Sequence, residues 1–250
     1  MSVMVKNEEE IEGIRKSCHM LRDLFDELDG YVRAGLSTKD IDAFCYDYIV
    51  KHGGKPAFLN FEGFPGSACV SVNDEVIHGI PASKRIIRDG DLVTVDLGIN
   101  LNGFFSDSAH TYEIGKVPEK VHQLNVVTRE ALYKGIEAIE SSKGKTRVSD
   151  ISRAIYDHVR KMNYGVVRDY CGHGVGLAVH EDPLIPNYVS SNVRIKPGYV
   201  IAIEPMITLG KGDVRVLPNK WTVVTKDKSV ACQWEHTVAI MPDGSPEILT

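Results

Sequence analysis

Hydrophobic positions along this chain fall into two rhythms, and the same succession of rhythms occurs twice. From Asn7 to about Leu28, apolar residues recur at Ile11, Ile14, Cys18, Leu21 and Phe25, the stripe of an amphipathic helix. A second stripe follows on Ile41, Phe44, Cys45, Tyr48 and Ile49. After Lys116-Val117-Pro118 the pair repeats, first on Val121, Leu124, Val127 and Leu132, then on Ile151, Ala154, Ile155 and Val159. Thr38 or Asp40 is the expected N-cap of the second helix, and Ser149 or Asp150 that of the fourth. Pro118 suits the first turn of the third.

Extended segments follow each helix pair. Ile87–Asp96 and Ile195–Glu204 share one pattern: Ile, a basic residue, a turn containing Gly, then an apolar run ending on a carboxylate. Short runs rich in β-branched residues and bounded by Gly read as strands. Asp150 lies 110 residues after Asp40, and Ile195 lies 108 after Ile87. Each half therefore reads helix, helix, strands, with halves of about 1–116 and 117–250 forming a single domain. Asn102-Gly103 between two strand-like segments predicts a hairpin that brings Asp96 and Asp107 close together. In the second half Glu204 and Glu235 end strands, and the segment with Gly210, Gly212 and Pro218 reads as loop and hairpin. The class is α+β with pseudo-twofold symmetry.

Composition narrows the function. The chain has 250 residues, 43% of them hydrophobic, enough for a sizeable core. Its net charge of -5 argues against nucleic-acid binding driven by overall charge. The five cysteines are scattered without a C-x-x-C pair, which favours a reduced, cytoplasmic setting over disulfides or structural zinc. The N-terminus turns acidic at Glu8-Glu9-Glu10, where a signal peptide needs apolar residues. No apolar run is long enough to span a bilayer.

Four carboxylates, Asp96, Asp107, Glu204 and Glu235, come from equivalent strands. A lone aspartate is ordinarily a surface residue, but the symmetric placement of Asp96 and Glu204 points elsewhere. Gathered unpaired in a cleft, four acids cannot all stay ionised, whereas two divalent cations would balance them. Oxygen-dominated ligands favour Mn, Fe(II), Co or Mg over structural zinc. His173 lies in Gly172-His173-Gly174-Val175-Gly176, where flanking glycines would let backbone press close to a ligand. His180 precedes an acidic turn at Glu181-Asp182-Pro183, and His78 sits between a strand-like segment and Pro81. Each histidine alone has an ordinary structural explanation; the three together suggest a site.

These segments resemble the methionine aminopeptidases of the duplicated "pita-bread" metallopeptidase fold, an antiparallel curved sheet covered by two pairs of helices. The resemblance runs from the first helix to Glu235. It is carried by Asn73–Pro81, Val95-Asp96-Leu97-Gly98, Ser106-Asp107-Ser108-Ala109, Gly172–Gly176, Ile203-Glu204-Pro205-Met206 and Glu235-His236-Thr237. Length and the lack of a long second-half insertion look like the bacterial, type I form. The resemblance implies two divalent ions drawn from Mn, Fe(II), Co, Zn or Ni. It makes Asp96 a ligand of one, Asp107 and Glu235 bridges, and His173 and Glu204 ligands of the second. A metal-bridged hydroxide would attack the first peptide bond, with Glu204 moving the proton, His78 near the scissile nitrogen and His180 at the oxyanion. Phe58, Phe61, Phe64, Cys69 and Trp221 would line the methionine pocket, since thioethers suit aromatic edges. Phe58 stands where cysteine is usual, Phe61 and Phe64 where tyrosines are, and Val179 where phenylalanine is. Bulk gained at Phe58 is therefore expected to replace bulk lost at Val179.

The expected activity is removal of the initiator methionine when the second residue is small. Its partners would be peptide and nascent-chain N-termini, with ribosome contact, no specific nucleic acid, no membrane, and a monomeric state. The chain's own Met1-Ser2 start would qualify as a substrate. An Xaa-Pro dipeptidase or aminopeptidase would carry the same five ligands, but such relatives normally have an additional N-terminal domain. A non-catalytic binding module of this fold would generally have lost ligands, and here all five positions are intact.

Overall fold

Both helix pairs form, and each packs on strands of its own half, but Ile11, Ile14 and Cys18 of the first helix bury instead against Val200, Ala202 and Ala239 of the second half. The computed structural model describes residues 3–142 and 144–250; the Met1-Ser2 start lies outside the described residues. Helix α1 (Glu8–Tyr31) opens on a reciprocal cap. The Asn7 side chain accepts from the Glu10 N–H at 2.9 Å, and the Glu10 carboxylate accepts from the Asn7 N–H at 2.8 Å. In α2 (Thr38–Lys51) the cap is Ser37 rather than Thr38 or Asp40. Asp40 occupies the third helical position and its carboxylate accepts from the Ser37 N–H at 2.7 Å.

The second pair departs from expectation in the same way. Helix α3 (Glu119–Ser141) begins after Pro118, which is its cap residue, not part of its first turn. Helix α4 (Val148–Lys161) starts ahead of Ser149 and Asp150. The Asp150 carboxylate reaches back to the Arg147 N–H at 2.8 Å, the job Asp40 does in α2. In both halves the aspartate anticipated as a cap is the far partner of the cap.

The first half supplies β1 (Lys55–Pro56), β2 (Cys69–Val72), β3 (Glu75–Ile77), β4 (Leu92–Leu101) and β5 (Phe104–Glu113). Strands β4 and β5 run antiparallel from Leu92↔Glu113 to Leu101↔Phe104. Their two-residue turn has φ of 55° at Asn102 and 91° at Gly103, positive at both positions as a type I′ hairpin requires. Leu21, Leu24, Leu28, Ile41 and Ile49 of α1 and α2 bury against Val93, Val95, Leu97 and Ile99 of β4.

The second half is more fragmented. It contains β6 (Gly165–Val166), β7 (Gly172–Gly174), β8 (Glu181–Ile185), β9 (Val200–Ile203), β10 (Met206–Thr208), β11 (Val214–Val216), β12 (Val223–Thr225), β13 (Ala231–Gln233), β14 (His236–Ile240) and β15 (Pro246–Ile248). The largest sheet has the order β15-β14-β9-β7-β8. Leu124, Leu132, Ile151 and Ile155 of α3 and α4 pack with Ile201, Ile203 and Val238 of that sheet.

The halves are stitched along β5 and the 233–237 segment. The Glu235 N–H donates to the Ala109 carbonyl at 2.9 Å, and the Ser108 hydroxyl donates to the Glu235 carbonyl at 2.7 Å. The Thr237 hydroxyl donates to the Asp107 carbonyl at 2.7 Å and accepts from the Asp107 N–H at 3.2 Å. Residues flanking Asp107 and Glu235 thus lock together the backbones that carry them. Strand β12 crosses over as well, pairing with β3 of the first half.

Candidate metal centre

Asp96 does not close its strand, as its sequence pattern suggested; it stands midway along β4, opposite Cys69 of β2 and Ala109 of β5. Asp107 pairs with Gly98, two residues farther along the same ladder. Because side chains alternate faces with a period of two, both acids project from one face of the hairpin. Glu204 directly follows β9, and Glu235 sits in the break between β13 and β14.

Side-chain oxygens and nitrogens of these residues converge in overlapping triplets. One joins Asp96, Asp107 and Glu235, and another joins His173, Glu204 and Glu235, with ligand atoms within 4.8 Å of one another in each. A third joins Asp107, His173 and His180. His173 Nε2 lies 3.6 Å from Glu204 and 3.8 Å from Asp107. Its Nδ1 faces the Gly174 carbonyl at 2.9 Å, so the proton belongs on Nδ1 and the Nε2 lone pair faces the acids.

Burial makes this cluster costly without a cation. Asp96, Asp107, Glu204, Glu235 and His173 are all buried. Asp96 Oδ1, Asp107 Oδ1 and Glu235 Oε1 have no hydrogen-bond partner among the described residues. Burial pushes the Asp96 carboxyl up to about 7. Burial first, then the neighbouring acids, drives Asp107, Glu204 and Glu235 well above the usual carboxylate range. Burial also lowers His173 to about 3, leaving it neutral and able to donate a lone pair. Orphaned carboxylate oxygens and a neutral imidazole suit divalent cations, and the mixed oxygen and nitrogen set accepts several first-row ions.

The glycines around His173 have a different reason from the one expected. A Cβ at Gly172 would lie 2.3 Å from the Ala202 carbonyl oxygen, and one at Gly174 would lie 2.4 Å from that of Asp182. They let β7 fit between its neighbouring strands, and His173 itself is buried.

His78, His180, Phe58, Phe61, Phe64, Cys69 and Trp221 line the same cavity as the acids. Cys69 is the ladder partner of Asp96, so the apolar wall begins where the acidic wall ends. Phe58, Phe64, Cys69 and Val179 form one buried cluster, with Phe61 and Trp221 packed on it. The Phe64 and Trp221 rings meet edge-on at 5.2 Å. His78 adopts a φ of 56°, a left-handed backbone seldom taken by non-glycine residues and associated with functional sites. Its ring meets Tyr170 and Trp221 edge-on, and burial lowers it to about 4. His180 is exposed at the rim, its ring 4.3 Å from that of His173.

Two residues escaped sequence reasoning. Gln233, fully buried, donates from Nε2 to the second carboxylate oxygen of Glu204 at 3.2 Å; its place two residues before Glu235 was the available signal. Glu62 lines the cavity mouth with a φ of 49° and faces His180, whose pKa it pulls up against the lowering by burial.

The model of Metallopeptidase family M24 matches residues 12–242. A methionine aminopeptidase of Treponema pallidum is 50% identical over 99% of this chain and 96% of its own length. The crystal structure of methionine aminopeptidase from Rickettsia prowazekii superposes with a TM-score of 0.95 at 35% identity, covering all of both chains. Prolidase from Pyrococcus furiosus matches at a TM-score of 0.79 and 26% identity, over 98% of this chain but only 65% of its own.

Proposed function

The chain belongs to metallopeptidase family M24, among its bacterial-type methionine aminopeptidases, and from that membership we propose that it removes N-terminal methionine where the second residue is small. The observation that carries the reading is that an aromatic, sulfur-containing pocket and an orphaned acid–imidazole cluster share one cavity. An α-amine is drawn to the acids while a thioether lies against Phe58, Phe64 and Trp221. That geometry favours attack at the first peptide bond of a chain.

Asp96, Asp107, His173, Glu204 and Glu235 are the residues that would hold two divalent ions. When bound, such ions activate water and polarise the peptide carbonyl. Glu204 takes a proton from the attacking water as its oxygen joins the carbonyl carbon. It then delivers that proton to the amine as the carbon–nitrogen bond breaks. Gln233 holds the Glu204 carboxylate in orientation. His180, a neutral donor at the rim, stabilises the charge that develops on the carbonyl oxygen. His78, also neutral, hydrogen-bonds beside the scissile nitrogen. The two halves act as one catalytic domain, and nascent chains as substrates place the work in the cytoplasm, at the ribosome.

Hydrolysis of Met-Ala-Ser, Met-Leu-Ser and Ala-Pro peptides, by metal-loaded and chelator-treated protein, tests the reading. Met-Ala-Ser should be cleaved, Met-Leu-Ser far more slowly and Ala-Pro not at all, with chelator abolishing turnover. Cleavage of Ala-Pro in preference to Met-Ala-Ser would establish the proline-directed alternative instead.

A further inference from the structure

The loop that carries His180 is held by a charge from the opposite end of the sequence. Lys6 Nζ pairs with Glu181 Oε2, and each side chain is only 1% exposed. Glu181 immediately follows His180. Its other oxygen, Oε1, accepts from the Leu177 N–H at 2.7 Å and the Ala178 N–H at 3.0 Å. One carboxylate thus closes the 177–181 loop on one side and grips the N-terminal arm on the other. The arm is fixed in turn, because the Lys6 N–H donates to the Gly198 carbonyl at 2.8 Å.

We propose that Lys6 is a positioning residue for His180, acting through Glu181. The buried Glu181 carboxylate meets a cation in Lys6, and removing one partner of a buried ion pair is strongly destabilising. An apolar pair at these positions could still attach the arm, but it would leave the Leu177 and Ala178 N–H groups without their acceptor. The exposed His180 ring meets His173 edge-on and Phe61 at a tilt, so its placement depends on the backbone leading into it. The N-terminal arm thereby belongs to the catalytic apparatus without touching substrate. The inference rests on the aminopeptidase reading, in which His180 meets the carbonyl oxygen.

A double-mutant cycle on the metal-loaded full chain tests it. Lys6→Met should lower kcat on Met-Ala-Ser about tenfold with KM little changed, as expected for a small misplacement of one donor. Lys6→Arg should recover most of the loss. In a His180→Ala background, Lys6→Met should cost nothing further, and amide exchange at Leu177 and Ala178 should quicken in Lys6→Met alone. Glu181→Gln, which keeps an acceptor for both loop N–H groups but removes the charge, replaces Lys6→Met in the same cycle if the latter does not fold. An unchanged kcat, or an equal loss in the His180→Ala background, overturns the positioning role. An inactive wild type would instead overturn the aminopeptidase reading.

Discussion

The two halves deliver their acids by different means. In the first, Asp96 and Asp107 stand on one continuous hairpin of two ten-residue strands, locked by paired neighbours on both sides. In the second, the corresponding ladder is broken, with Glu204 after β9 and Glu235 between β13 and β14. Backbone groups at those breaks are satisfied by side chains: Asn187 donates to the Glu204 carbonyl at 3.0 Å and Ser108 to that of Glu235 at 2.7 Å. Duplication has thus produced one stiff wall and one opened wall. The opened wall contributes both histidines nearest the acids, His173 and His180, so in the proposed mechanism the proton chemistry falls to that wall while both walls hold charge.

Removing one charge from each wall gives the largest expected effects. Asp96→Asn and Glu204→Gln should each lower turnover of Met-Ala-Ser by orders of magnitude while the protein stays folded, because both changes are electrostatic and nearly isosteric. They should part when metal is raised. Asp96→Asn should regain activity as cation concentration increases, since it weakens a site without removing the proton acceptor. Glu204→Gln should stay inactive at saturating metal. Identical recovery would erase the division of labour between the walls, and undiminished turnover in Asp96→Asn would defeat the metal assignment.

What could be seen in the sequence was what repeats or alternates. Asp96 and Glu204 were visible because the 108-residue offset between Ile87 and Ile195 puts them in equivalent places, Asp107 because the hairpin brings it to Asp96, and Glu235 only as the end of a strand-like run. Asn102-Gly103 fixed the hairpin because few residues tolerate positive φ twice in succession. The features that stayed hidden are made by tertiary neighbours. Gly172 and Gly174 are required by carbonyls of Ala202 and Asp182, from other strands. The Lys6–Glu181 pair spans 175 residues, and no local pattern announces it. Ser37 was passed over for Thr38 or Asp40 although serine caps as well as aspartate, because residue type alone does not tell a cap from its reciprocal partner.

Metal removal should expose the cost of burying the acids as a pH effect. The Asp96 carboxyl is raised from 3.8 to about 7, so the folded chain binds that proton more tightly than the unfolded one. Its stabilising contribution is complete below about pH 4 and is lost as pH climbs through about 7. The buried histidines run the other way: His78 and His173, lowered from 6.5 to about 4 and about 3, favour the folded state fully only above about pH 6.5. The clean window therefore lies above that point. Metal-free protein should lose Tm between about pH 6.5 and 8, and Asp96→Asn should raise the metal-free Tm more at about pH 8 than at about pH 5. Added Mn²⁺ should stabilise wild type most at the alkaline end, because binding displaces protons. A metal-free Tm that rises through the window would show that Asp96 is not buried as a charge in the metal-free protein.

His180→Ala isolates the opened wall from the charge it borders. It should lower kcat about 100-fold by removing one preorganised donor, yet leave metal affinity, measured by calorimetry, unchanged. A matching loss of metal affinity would make His180 a ligand, as its triplet with Asp107 and His173 would permit.

The smallest effect concerns the apolar end, to which both halves contribute side chains. Phe58 comes from the first half and Val179 from the second, and both belong to the buried cluster with Phe64 and Cys69. If bulk at Phe58 fills space that a larger residue at 179 would otherwise take, Phe58→Cys leaves a gap in the pocket wall. Specificity of kcat/KM for Met-Ala-Ser should then fall about tenfold, with the preference for methionine over leucine reduced, since pocket contacts of this size discriminate by only a few kcal/mol. Val179→Phe alone overfills the same space and should also lower kcat/KM. Combined, the two substitutions should restore most of the loss, a non-additivity that only residues sharing one volume display. Unchanged kcat/KM and methionine preference in Phe58→Cys, or strictly additive losses in the double variant, would mean that each half builds its part of the pocket independently.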